Sequence, residues 1–356
     1  MNEYIRTLTA EAVDLLKEMV AIPSPSFSED AVCSHISNWM SAHGIGHERV
    51  GNNIIAEQII DASKPVLMLC AHIDTVSPCD GYEFDPYNPE NCPDDMVQGL
   101  GSNDDGASVV TMIAAYRHFS GSSNIMLVLT CEEERSGKNG MTGLWPGLAS
   151  KADMAIVGEP TGMKAATAER GLLVIDATAH GVSGHAARNE GENALYIALE
   201  DIDRLRRHEF GRISPRMGKV NLNVTQINAG TAHNVIPDSC TFVIDIRPTE
   251  QYTNEEILKE LQSICRSELK PRNLTNRSSA TFTDSPLQKA AETLGIETFS
   301  SPTTSDWMRI TCDAIKMGPG ESSRSHRSNE FVFIDEINQA ITTYIAFIEY
   351  LYNCQM

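Results

Sequence analysis

The sequence predicts an α/β protein, a mixed and mostly parallel sheet with helices on both faces, interrupted by a smaller inserted α+β domain. Three observations carry this. The runs at 53–60, 66–71, 125–130 and 154–159 are apolar nearly throughout, the composition of strands buried on both faces. Helical patterns separate several of them, as in DGASVVTMIAAYRHF at 105–119, and strand–helix alternation favours a covered sheet. After Arg170 the order becomes β-α-β-β-α-β for about 105 residues, a ferredoxin-like unit, and then the first pattern resumes.

Taken in chain order, MNEYIRTLTAEAVDLL reads as an amphipathic helix, without the basic segment and apolar block of a signal peptide. The expected location is cytoplasmic. Within the insert, GLLVIDATAHG is a strand, and EGENALYIALEDIDRLRRHEF is a helix with Leu195, Ile197, Ala198, Ile202 and Leu205 on or near one face. KVNLNVTQIN and CTFVIDIRP are strands. TNEEILKELQSICRSEL, 253–269, is a helix opened by a capping-box pattern from Thr253 to Glu256. NLTNRSSATFT, 273–283, is the expected closing strand, and SPLQKAAETLG returns to helix. The expected domains are 1–170 with 275–356, and the insert 171–274.

The totals bound the function. A chain of 356 residues, 41% hydrophobic and 21% charged, has an ordinary globular composition and length for two domains. No apolar run approaches a membrane span. The formal net charge of −20 argues against nucleic acid as a partner, and by itself signifies little beyond solubility. Nine cysteines with no C-x-x-C pair suggest reduced thiols.

The apolar runs share one feature: groups able to bind a cation follow them. His72 and Asp74 end the second. Glu132, Glu133 and Glu134 follow the third, and Glu159 ends the fourth. The loop GLGSNDDGAS carries Asp104 and Asp105 before a helix, and His326 stands in a late loop. Singly, each has an ordinary explanation: a structural histidine, a solvated acidic loop, an N-cap. Jointly they do not, because ligand sites in open α/β sheets gather beyond the carboxyl ends of strands. Carboxylates packed there would repel one another unless a divalent metal pair neutralised them.

The segments HIDTV, GLGSNDDGA, TCEEER, VGEPTG and SRSH together resemble the M20 family of zinc-dependent amidohydrolases and peptidases, most of all its acetylornithine and acetyl-lysine deacetylases. The likeness runs over nearly the whole chain, in order. It implies two zinc ions, with cobalt able to substitute: one held by His72 and Glu159, the other by Glu134 and His326, and Asp104 bridging. It implies that Asp74 holds the second ring nitrogen of a histidine, His72 being the nearest. Glu133 is the implied general base; Glu132 as base with Glu133 as ligand is the competing register.

The same resemblance makes the insert a lid through which the chain forms a homodimer. His185 and Asn234, rather than His233, would then polarise the scissile carbonyl. Arg170 and Arg247 match carboxylate-binding positions, and Arg324 is a further candidate because it lies near His326. Thr304, Ser305 and Asp306 match a substrate-side loop. The implied activity is hydrolysis of the amide of a small N-acyl-amino acid, N-acetyl- or N-succinyl-L-ornithine first, in arginine biosynthesis. Alternatives within the family are a succinyl-diaminopimelate desuccinylase and a dipeptidase or carboxypeptidase. A non-catalytic binding protein is disfavoured, because every implied ligand and Glu133 are present.

Overall fold

A computed structural model of the chain describes residues 3–89, 92–188 and 190–354. The elements are, in order, α1 (Glu3–Val20), α2 (Asp30–Ala42), β1 (Glu48–Val50), β2 (Asn53–Gln58), β3 (Leu67–His72), β4 (Met96–Gln98), α3 (Ala107–His118), β5 (Ile125–Thr130), α4 (Met141–Leu148), β6 (Met154–Val157) and β7 (Ala165–Glu169). They continue with β8 (Leu173–His180), β9 (Gly184–His185), α5 (Ala194–Arg207), β10 (Asn221–Ala229), β11 (Val235–Ile236), β12 (Ser239–Arg247), α6 (Asn254–Ile264) and β13 (Glu268–Pro271). Last come β14 (Ser279–Ala280), α7 (Pro286–Thr293), β15 (Thr298–Ser301), β16 (Asp313–Lys316), β17 (Phe331–Phe333) and α8 (Ile334–Cys354). They divide into two units: Met1–Thr167 with Ala280–Phe299 and Ser305–Met356, and Ala168–Ser279 with Ser300–Thr304.

In the first unit the strands run β1-β2-β5-β3-β6-β16-β7 across the sheet. The central four, β5, β3, β6 and β16, are parallel, and every residue in them is buried. Their side chains feed two separate cores, which is why the sequence shows no alternation. Leu67, Leu69 and Leu127 join the core that includes α1, α3 and α8; Met68, Cys70 and Val128 join Trp145 and Trp307 on the other face. The expected fold class is the observed one. Strand ends moved by a residue or two: β3 includes His72, whereas β6 stops at Val157 and leaves Glu159 in the following loop.

The second unit is an antiparallel sheet in the order β10-β12-β8-β13. β8 and β12 alternate, and their buried residues, among them Ile175, Phe242 and Ile244, pack with Ile197, Ile257 and Leu261 of α5 and α6. The capping box is formed: the Glu256 N–H donates to Thr253 Oγ1 at 3.2 Å, and the Thr253 N–H donates to Glu256 Oε2 at 2.9 Å.

One expectation fails here. The closing strand is not at 273–283; it is β13, carved from the last residues of the expected helix 253–269 and paired with β8. The cause is Asp201 on α5, a fully buried carboxylate. It accepts from the backbone N–H groups of Arg266 and Ser267 and from Ser267 Oγ, which turns the chain out of α6. Asp201→Ala would leave the two Ser267 donors buried and unpaired, and should cost about 1–3 kcal/mol per unsatisfied group in urea unfolding.

Candidate metal centre

Strand register assembles the site. β3 pairs with β5 so that His72 faces Thr130, and with β6 so that Cys70 faces Val157. The residues just beyond Thr130 and Val157 therefore emerge beside His72. Glu133 and Glu134 lie in a short turn after β5, Glu159 in the loop after β6, Asp104 at the entry to α3, and His326 in the loop after β16.

Asp104 stands between two histidines. Its Oδ1 is 3.2 Å from His72 Nε2, and its Oδ2 is 3.8 Å from His326 Nε2. His326 Nε2 is also 3.0 Å from the Glu134 carboxylate. Ligand atoms of His72, Glu133 and Glu159 lie within 4.8 Å of one another, and so do those of His72, Asp104 and Glu134. Imidazole nitrogen and carboxylate oxygen in this mixture suit zinc and its neighbours.

The backbone around His72 sets its tautomer. Nδ1–H donates to the carbonyl oxygen of Asp74 at 2.9 Å, leaving Nε2 to face Asp104. The Asp74 carboxylate is farther from the ring, at 3.5 Å. It accepts instead from the Glu133 N–H at 2.9 Å, the Glu134 N–H at 3.2 Å and Ser26 Oγ at 2.7 Å. The expected contact of Asp74 with the second ring nitrogen of His72 is thus made chiefly by its carbonyl, with the carboxylate as a longer partner. Residue 74 orients the imidazole through its main chain and the two glutamates through its side chain.

The three glutamates separate in the same way. Glu132 is buried, with its carboxylate turned back to the Asn139 N–H at 3.0 Å and Asn139 Nδ2 at 2.6 Å. A side chain at Gly137 would collide with it, its Cβ falling 2.1 Å from Glu132 Oε2. Glu133 and Glu134 are left to enter the cluster, against the register that made Glu132 the base.

Burial and mutual repulsion shape the charges. Glu133 is held well above the usual carboxylate range by burial first, then by Glu159, Asp306 and Glu134. Glu159 is likewise raised, mainly by burial. Burial pushes Asp105 up to about 8 and Asp306 to about 6. The hydrogen bond to Glu134 lifts His326 to about 9. For His72, burial alone would lower the value, but Asp104 and Asp74 together raise it well above the ordinary one.

Several expected substrate contacts are placed otherwise. The Arg170 guanidinium donates to the carbonyls of Met217, Lys219 and Arg247, so three of its five N–H groups clamp backbone. Arg324 makes two hydrogen bonds to Glu336, at 2.7 and 3.1 Å, and stacks on Phe331. Arg324 is corrected to a structural role, and Arg170 is engaged mainly with backbone. Arg247 is partly exposed and paired with Asp245. Ser305 is fully buried, its hydroxyl accepting from the Trp307 N–H, which corrects its assignment to the substrate side; Thr304 is half-buried. Asp306 accepts from Thr130 Oγ1 at 2.7 Å, at the end of β5.

In the second unit, His185 and Asn234 come together. β9 pairs with β11, the Ala186 N–H donates to the Asn234 carbonyl at 3.1 Å, and both side chains are exposed, as is His233. Sequence reasoning missed Asn103 and Glu330, which hold the Asp104 loop. Asn103 stands inside the GLGSNDDGA motif beside Asp104, but nothing local in the sequence says that its amide would pair with residue 321 or that Glu330 would reach the same loop.

The fold and site define a two-unit α/β protein whose parallel sheet carries, beyond its strand ends, a cluster of imidazole and carboxylate groups suited to divalent metal. Residues 167–273 match the M20 peptidase dimerisation domain, and residues 53–157 match peptidase family M28. The succinyl-diaminopimelate desuccinylase of Wolbachia pipientis subsp. Culex pipiens is 26% identical over 373 residues, 95% of this chain and 93% of its own. The acetylornithine deacetylase of Proteus mirabilis is 25% identical over 361 residues, covering 90% of this chain and 91% of that one. Among solved structures, the aminopeptidase PepT of Bacillus cereus has a TM-score of 0.78 at 18% identity, covering 97% of this chain and 99% of that chain. The YXEP protein of Bacillus subtilis, a dinuclear metal-binding peptidase of the M20 family, has a TM-score of 0.73 at 16% identity, covering 98% and 99%. The chain is thus similar, over nearly its whole length, to enzymes of the M20 kind in fold and at the level of a quarter of its residues in sequence. Among the described residues, no helix is long and apolar enough to cross a membrane.

Proposed function

We propose that this protein is a metal-dependent deacylase of N-acylated diamino acids. The supporting observation is Asp104, whose two oxygens face two different histidines while Glu133 stands alongside. His72 and Glu159 would hold one divalent ion and Glu134 and His326 the other, with Asp104 shared; zinc fits the donor set. A bound pair would supply Lewis acidity and lower the pKa of water toward neutrality. Glu133 accepts the proton of the attacking water and returns it to the leaving amine, and its raised proton affinity suits that exchange. The Asp74 carboxylate fixes the turn that aims Glu133. His185 and Asn234 polarise the scissile carbonyl, and the dimerisation domain joins two copies of the chain. Arg247, its Nε and Nη2 held by Asp245, meets a substrate carboxylate through Nη1.

For the acyl group and amine, the named relatives favour N-succinyl-diaminopimelate over the ornithine derivatives expected from sequence. N-acetyl- or N-succinyl-ornithine is the second reading, favoured by the Proteus mirabilis deacetylase. The purified, zinc-loaded protein should be assayed against N-succinyl-diaminopimelate, both ornithine derivatives and dipeptides. The highest kcat/KM on the first supports desuccinylation; the highest on an ornithine derivative supports the second reading. Turnover of dipeptides alone would overturn both. Arg247→Ala should raise KM for a succinylated substrate about 10-fold or more with kcat little changed, the loss of one charge-assisted hydrogen bond.

A further inference from the structure

Asp104 and His326 come from loops far apart in sequence, yet the structure fastens those loops to each other. A separate two-stranded ribbon starts the join. β4 pairs with β17, so the chain leaving β4 toward Asp104 lies beside the chain that enters β17 after His326. The Gly99 N–H donates to the Glu330 carbonyl at 2.9 Å and continues the pairing.

Two buried side chains complete it. Glu330 Oε1 accepts from the N–H groups of both Asn103 and Asp104, each at 2.9 Å. Asn103, fully buried, pairs with residue 321 as a strand would. Its Oδ1 accepts from the Glu321 N–H at 2.9 Å, and its Nδ2 donates to the Glu321 carbonyl at 3.2 Å and to Ser325 Oγ at 3.3 Å. Gly320 leaves room for this amide: its φ is +78°, and a Cβ there would fall 2.3 Å from Asn103 Oδ1.

We infer that Asn103 and Glu330 are positioning residues, a clasp that joins the Asp104 loop to the His326 loop and sets the spacing of the second metal position. The inference rests on the metal reading of the site given above. The ordering force is specific. A buried carboxylate accepting two main-chain donors costs desolvation that a simple loop would avoid, and here both donors flank the shared ligand. The first position, His72 with Glu159, takes only the shared Asp104 from a clasped loop, whereas the second takes both Asp104 and His326 from the two loops the clasp joins. Loosening the clasp should therefore weaken the second position much more than the first.

Calorimetric titration of the metal-free protein with zinc alone, under chelator competition, tests this. The wild type should take two ions. Asn103→Ala and Glu330→Ala should each weaken the second about 10–100-fold while the first stays within about threefold. Glu330→Gln keeps an acceptor oxygen and should restore both affinities. With cobalt, the absorption bands that appear with the second equivalent should be lost in the alanine variants and retained in the glutamine one. If Glu330→Ala does not fold, Asn103→Ala carries the comparison. Equal weakening of both ions, no change in either, or failure of Glu330→Gln to rescue would overturn the clasp. A wild type binding fewer than two ions would overturn the metal reading and the clasp with it.

Discussion

Glu133→Gln should leave the protein folded and able to bind metal, yet lower kcat about 10²–10⁴-fold, the usual contribution of a positioned general base. Glutamine keeps the shape of the side chain and the Glu133 N–H bond to Asp74, so the turn that also carries Glu134 is preserved. What it removes is the proton acceptor. It also removes a half-buried carboxylate that desolvation and its neighbours Glu159, Asp306 and Glu134 make costly to ionise. The metal-free variant should therefore unfold at a higher temperature than the metal-free wild type near neutral pH, even as activity disappears. Glu132→Ala gives the opposite pattern. It breaks the bonds to Asn139, so stability should fall by about 1–3 kcal/mol, with kcat within about tenfold of wild type. If Glu132→Gln abolished turnover and Glu133→Gln did not, the assignment of the base would be wrong.

The second large effect is the pH dependence of metal stabilisation. Asp105 rises from 3.8 to about 8, His326 rises from 6.5 to about 9, and Glu133 and Glu159 are both raised. For each, the folded metal-free state binds protons more tightly than the unfolded chain. Stability from these groups is thus fully present below their unfolded values, and is lost as pH rises through the folded ones, a window of about pH 4 to 9. Bound metal needs His72, His326 and the carboxylates unprotonated, so it competes with those protons, and each one displaced changes its apparent binding by about 1.4 kcal/mol per pH unit. The gap in Tm between zinc-loaded and chelated protein should accordingly widen from pH 5.5 to 8. Thermal unfolding in matched buffers measures it directly. A gap that stayed constant over that range would mean these groups do not exchange protons for the metal.

What was legible in the sequence is local. An apolar run buried on both faces has no polar partner to wait for, so β3, β5 and β6 could be read from composition, and so could the polar group beyond each. The alternating pattern of β8 and β12 and the Thr253 cap were legible for the same reason. The end of α6 was not, because the signal that stops it, Asp201, sits on a different helix.

The sequence by itself determined which residue types stand at the strand ends, and hence that a cation site was the economical explanation. Only the tertiary structure decided which partner each polar group takes. It turned Glu132 away, spent Arg170 on carbonyls and Arg324 on Glu336, gave the Asp74 carboxylate to two backbone donors, and brought Glu330 under Asp104. The reason is physical. Burial follows from a residue's own chemistry and its near neighbours along the chain. A hydrogen bond needs two groups within about 3 Å, and strand register and loop contacts set that distance between residues hundreds of positions apart.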